Sequence, residues 1–124
     1  VYLDPAGTNT YSQALSTITV AWNDSADAEE MQERIITQKW IANWLLGNES
    51  WADWRRTGYP HLIPASDAGN KSNGMVDSAE GARRMPYPRD EYVNNPENIR
   101  QAVSEYLAGP DNMSTRLWFD CKNK

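Results

Sequence analysis

The stretch ESWADWRRTGYPHLIPA, residues 49–65, decides how the chain is read. Trp51 and Trp54 stand three apart, a paired arginine follows, and Gly58 and Pro60 close the run. Tryptophan spacing of this kind fits either a sugar-stacking platform or the buried seam of a helical protein. Asn48 in front can cap a short helix that runs to about Thr57, with Gly58 and Pro60 ending it. On such a helix Trp51, Trp54 and Arg55 are neighbours by three- and four-residue spacing. Arg55 or Arg56 is then placed to stack on a ring or clamp a carboxylate, which suits the planar guanidinium.

Upstream, Asp27 followed by Glu30 has capping-box spacing, with Ser25 as a rival cap. No Pro or Gly interrupts the chain from there to Leu46, and Gly47 is a suitable stop, so one long helix is predicted. Met31, Ile35, Ala42 and Leu45 form one stripe, and Ile36, Trp40 and Trp44 the next, a face broad enough for more than one neighbour. Four tryptophans (Trp40, Trp44, Trp51 and Trp54) interleaved with Ile36, Ile41 and Leu45 are predicted first as a packing seam. Trp51 and Trp54 are nevertheless the candidate ligand-binding residues of the chain.

Further out the chain is less regular. Residues 1–10 are turn-rich, and YSQALSTITVAW, residues 11–22, fits a short helix or an extended segment. Residues 66–81, SDAGNKSNGMVDSAEG, are small, polar and glycine-bearing, which predicts an exposed, mobile loop. RRMPYPRDEY, residues 83–92, should be extended around Pro86 and Pro88. Asn95 then caps a helix with Pro96 in its first position and an apolar face of Ile99, Ala102, Val103, Tyr106 and Leu107. Trp118-Phe119 is a last aromatic anchor. There is no internal repeat.

Composition narrows the chemistry. The 124 residues suit one modest domain and include six Trp and six Tyr but one Phe. Mean hydropathy is −0.77, so the aliphatic stock is thin. The aromatic surface is expected to pack against polypeptide that the sequence does not contain. A net charge of −5 without a basic patch excludes the usual nucleic-acid binder. One cysteine, Cys121, rules out an internal disulfide, and with one histidine, His61, a metal site or catalytic triad is not expected. No apolar run reaches membrane-spanning length and no signal peptide is visible. The start at Val1 is expected to reflect processing or trimming.

Glu49 and Asp53 share a helix face at the spacing an acid/base pair could use, which would make a glycosidase fragment. Ion pairing with neighbouring arginines explains the same charges. SDAGNKSNG lacks the alternating ligands of an EF-hand. Asn-x-Ser sequons occur at Asn23, Asn48, Asn70 and Asn112 and arise easily by chance.

Three segments together resemble a known family: IITQKWIANWLLGNESWADWRRTGYPHLIPA (35–65), ARRMPYPRDEYVNNPENIRQAV (82–103) and TRLWFD (115–120). Their order is similar to the carboxy-terminal portion of SusD/RagB-type outer-membrane lipoproteins of Bacteroidetes, over residues 12–120. The resemblance implies a mainly α-helical fold with long irregular loops and tetratricopeptide-like helix pairs toward the amino-terminal half. It implies residues 1–124 as the carboxy-terminal portion of a larger domain whose amino-terminal half, with its lipid-bearing cysteine, is absent here. It implies a non-enzymatic, cofactor-free protein on the cell surface. Such a protein binds a glycan or peptide and passes it to a TonB-dependent, SusC-like transporter in the outer membrane. Cys121 sits at the wrong end to be the anchor. The resemblance transfers no ligand-binding residue and favours framework over platform for the Trp-Arg-Arg-Thr-Gly-Tyr-Pro segment. The alternative is a stand-alone carbohydrate-binding module.

Overall fold

Asp27 opens the first helix as the spacing predicts: its carboxylate accepts the Glu30 amide at 2.8 Å, satisfying one of the orphan donors of the first turn. In the computed structural model, residues 15–120 are described, and they contain four helices: α1 (Ala28–Ala42), α2 (Gly47–Thr57), α3 (Arg89–Asn94) and α4 (Pro96–Tyr106). α-Helix is the regular structure among the described residues, as the sequence pattern implies. These residues form two compact units, 15–63 and 64–120. Residues 1–14 and Cys121 fall outside the described residues, and 15–24 are irregular, neither helix nor strand.

In the first unit α1 packs on α2. The long helix predicted to Leu46 stops at Ala42 instead. Asn43 caps its carboxyl end, donating its amide to Lys39 O at 2.8 Å. Leu45 then takes φ +76°, and Leu46, not Asn48, stands at the N-cap of α2. Gly47, expected as the stop of α1, is the first residue of α2. The left-handed turn that sequence reasoning assigns to glycine is made here by a leucine two residues earlier. Gly58 does end α2, with φ +78° and its amide on Trp54 O at 2.7 Å.

The broad apolar face of α1 is only partly covered. Ile36 is buried, whereas Ile35 is 54% exposed, Ile41 61% and Trp44 81%. The buried side chains of this unit are mostly polar: Arg34, Ser50, Asp53 and Thr57 join Ile36 and Tyr59. Arg34 reaches across the unit, donating from Nε to Thr19 O at 2.9 Å while Nη2 pairs with Glu30 at 2.9 Å.

In the second unit the segment expected to be extended through Tyr92 stays irregular only to Pro88, which occupies the N-cap of α3. Proline is tolerated at a helix start because its missing N–H is not needed there. α4 begins where predicted, with Asn95 at the N-cap and Pro96 in the first turn, and buries Ile99; the Asn95 side chain makes no capping bond to the backbone and accepts instead from Asn98 Nδ2 at 2.7 Å. α3 packs on α4. Trp118, expected as an anchor, is 90% exposed and meets Phe119 edge-to-face at 5.6 Å.

Residues 66–81 are irregular, with turns tied by side chains. Asn70 Nδ2 donates to Val76 O at 2.7 Å and Ser78 Oγ at 2.9 Å, and the Met113 amide donates to Met75 O at 2.8 Å. Three of the four Asn-x-Ser motifs have a structural use. Asn23, Asn70 and Asn112 each accept the amide of the serine two residues on, at 3.0 Å, which is the Asx-turn geometry.

Candidate functional site

The side chains of the opening stretch converge on Asp53. Its carboxylate is buried on α2, with Arg56 Nη2 donating to Oδ1 at 2.8 Å and Lys39 Nζ of α1 2.6 Å from Oδ2. Lys39 and Arg56 thus flank the carboxylate from two helices, one cation on each oxygen. Burial pushes the Asp53 pKa up, but the two cations outweigh it and hold the carboxyl below its usual range. A group kept ionised in this way is a poor general acid. Glu49, the other half of the candidate acid/base pair, is exposed one turn away. Salt links account for these charges without catalysis.

The two arginines divide the roles foreseen for them. Arg56 clamps Asp53, and Arg55 lies over the Trp51 ring with its guanidinium carbon 3.7 Å from the centroid. One face of Trp51 is therefore taken by Arg55. Trp51 and Trp54 are both half-buried. Trp44, grouped with them in the predicted seam, is not buried, so the four tryptophans do not form one closed core in these residues.

Thr57 knots the end of α2. It is 1% exposed, and its hydroxyl donates to Asp53 O at 2.7 Å while accepting the Tyr59 amide at 3.2 Å. Tyr59 is also buried and donates from its hydroxyl to Glu29 Oε2 at 3.2 Å. Burial raises its pKa, reinforced by the nearby carboxylates of Glu33 and Asp27. The Tyr59 ring meets His61 edge-on at 5.3 Å, and His61 Nε2 is 3.7 Å from Glu33 Oε1, too far for a hydrogen bond. The peptide bond between Tyr59 and Pro60 is cis. Thus Asp53, Arg56, Thr57, Gly58 and Tyr59 fasten α2 and its exit to α1.

The second unit has two polar knots that sequence reasoning did not find. Asp111 accepts from Arg84, from the Tyr87 amide at 3.1 Å and from the Tyr92 hydroxyl at 2.6 Å. Burial raises the Asp111 pKa, but these donors prevail and lower it, while the same bond to Asp111 raises that of Tyr92. Asp120, 1% exposed, faces Arg83 at 3.3 Å and Arg116 at 3.4 Å, and Arg116 also pairs with Glu80 at 2.8 Å. Arg83 and Arg84 are buried, not part of a surface charge patch. A cavity of about 440 Å³ is lined by Tyr106, Leu107, Arg116, Trp118 and Asp120, among others. The available signal was the aromatic pair at 118–119 between Arg116 and Asp120. Among the described residues no cluster of His, Cys, Asp and Glu could hold a metal ion, and no helix is long and apolar enough to cross a membrane.

The family model described as "SusD-like: Susd and RagB outer membrane lipoprotein" matches residues 1–120. The chain belongs to the SusD-like family. A SusD homologue from Bacteroides uniformis is 65% identical, with a TM-score of 0.85, over 98% of this chain and 25% of that one. A SusD homologue from Bacteroides thetaiotaomicron is 38% identical, with a TM-score of 0.75, over 99% of this chain and 27% of that one. A chitin-binding SusD homologue from Flavobacterium johnsoniae is 42% identical, with a TM-score of 0.71, over 86% of this chain and 21% of that one. No curated protein matches. This SusD-like chain therefore spans about a quarter of the length of the solved relatives. The family is one of outer-membrane lipoproteins, the location implied by the sequence resemblance.

Proposed function

We propose that the chain is the carboxy-terminal portion of a cell-surface nutrient-binding lipoprotein. The whole protein captures a glycan and delivers it to a TonB-dependent, SusC-like outer-membrane transporter. Its lipid anchor lies in the amino-terminal part outside these residues. The observation that carries this reading is the likeness to a chitin-binding SusD homologue, at 42% identity over 86% of the chain. An oligosaccharide is the favoured ligand and a peptide the alternative.

Within this scheme the Trp-Arg-Arg-Thr-Gly-Tyr-Pro segment is framework. The support is the dense pairing around Asp53 and Thr57, both of them buried. Trp51 and Trp54 remain the positions at which ligand contact by the segment is to be tested. The role is binding without turnover: the low pKa of Asp53 argues against a Glu49–Asp53 acid/base pair.

The test has two arms. A tagged version of the complete gene product is purified from outer membranes, and co-purification of a SusC-like transporter is the expected result. The same protein is titrated with chitin oligosaccharides and a wider glycan panel, with products followed by chromatography. Binding with intact glycans supports the reading. Turnover lost in Glu49→Gln overturns it in favour of a glycosidase, and glycan binding with no transporter favours a stand-alone carbohydrate-binding module.

A further inference from the structure

The turn between α1 and α2 exposes four large apolar side chains within six residues: Ile41 at 61%, Trp44 at 81%, Leu45 at 90% and Leu46 at 57%. Single exposed apolar residues are ordinary, but a contiguous group on a soluble protein marks a contact surface. No charged residue occurs from Ile41 to Asn48, so the surface offers nothing to phosphate or to an acidic partner. Leu45 and Leu46 have no aromatic face for a sugar ring. The surface suits apolar protein side chains.

The backbone adds an independent observation. Leu45 sits at φ +76°, a left-handed conformation rare for a bulky side chain and costly to maintain. The bond from the Leu46 amide to Asn43 O at 2.7 Å and that from the Asn43 amide to Lys39 O at 2.8 Å hold the turn in this shape. Within the described residues Leu45 gains almost no burial in return, since 90% of it faces outward. Strain retained at such a position points to a contact that repays it.

We propose that Ile41, Trp44, Leu45 and Leu46 form an internal seam of the SusD-like fold, covered by the part of that fold lying outside these 124 residues. The occupant follows from the comparison. A relative 65% identical over this region continues for about three quarters of its length beyond the match, which is ample polypeptide to cover the surface. The proposal rests on family membership and not on which ligand or transporter the protein serves.

The test grafts residues 1–124 into the Bacteroides uniformis homologue in place of the matching quarter and compares the graft with the chain alone. Leu45→Gly relieves the left-handed strain, so in the chain alone the melting temperature stays level or rises. In the graft the same change removes the seam contact and lowers the melting temperature by roughly 2 °C or more. The opposite signs separate this outcome from simple misfolding. Trp44→Phe difference fluorescence is the second readout: the Trp44 emission should be blue-shifted and shielded from acrylamide in the graft, and open to the quencher in the chain alone. Equal quenching in both overturns the proposal. So does shielding in the graft that depends on protein concentration, which would give the surface to a second copy, or on detergent, which would give it to lipid. A graft of unmodified sequence with no cooperative transition overturns the proposal too, since the surface would then not fit the cover that the relative supplies.

Discussion

Replacing Thr57 by valine tests the framework reading at its tightest point. Valine keeps the shape of the side chain and removes the hydroxyl. The bond donated to Asp53 O, now 2.7 Å, is lost, at about 0.5–1.5 kcal/mol. The Tyr59 amide loses the acceptor it has at 3.2 Å, inside a residue only 5% exposed, which costs about 1–3 kcal/mol more. The added methyl returns about 0.8 kcal/mol of burial. The net loss is about 0.7–3.7 kcal/mol, a melting shift of roughly 3–15 °C at about 4 °C per kcal/mol for a chain of this length. Urea unfolding followed by tryptophan fluorescence reads it as a lower midpoint at unchanged slope. Thr57→Ser, which keeps both bonds and drops one methyl, should lose only about 0.8 kcal/mol. A Thr57→Val protein that melts within about 1 °C of the wild type would show that the hydroxyl does not hold the end of α2, and would refute the reasoning.

Three further outcomes follow from the same unit. Trp54 is half-buried, so Trp54→Ala should cost about 2 kcal/mol in urea unfolding, below the 3–5 kcal/mol typical of a fully buried ring. A fully stable variant that loses glycan binding in the complete protein would make the residue a platform instead. Gly58→Ala places a Cβ at φ +78° and should lower stability by about 1–2 kcal/mol, measured by calorimetry; no loss would mean the helix ends differently. Asp53 has a folded pKa below the ordinary 3.8, so its stabilisation is complete above that value and fades as pH falls through the folded pKa. Acid titration of unfolding should therefore decline more gently in Asp53→Asn than in the wild type, and parallel curves would sink the assignment.

Much of the fold was legible where local chemistry acts alone. Asp27 announced the start of α1 through a bond to a residue three positions on, and Gly58 and Pro96 announced helix ends through their own backbone limits. The end of α1 was misplaced because Leu45 adopts a conformation that its side chain disfavours, and no local signal marks such a residue. α3 was missed because Pro86 and Pro88 read as barriers, although a proline at the N-cap blocks only what precedes it. At the candidate site, Arg55 over Trp51 and Arg56 on Asp53 follow from side-chain reach along one helix. Lys39 on Asp53, and Arg84 and Tyr92 on Asp111, join residues far apart in sequence, and no spacing rule finds them. At Trp44 the seam is not closed among the described residues, because apolar periodicity tells which face needs cover, and not where the cover comes from.

The burial of Arg83 and Arg84 has a consequence for proteolysis. In an unfolded chain this pair, set in an irregular segment, is an open dibasic target for trypsin-like enzymes. Here the two residues are 8% and 5% exposed, with Arg83 turned to Asp120 and Arg84 to Asp111. A protease subsite cannot engage either guanidinium until those ion pairs part. Cleavage between residues 83 and 84 therefore reports opening of the unit that holds them, whereas cleavage at exposed Arg100 needs only local fraying of α4. The ratio of the two cuts gives a direct measure of how often that unit opens as a whole.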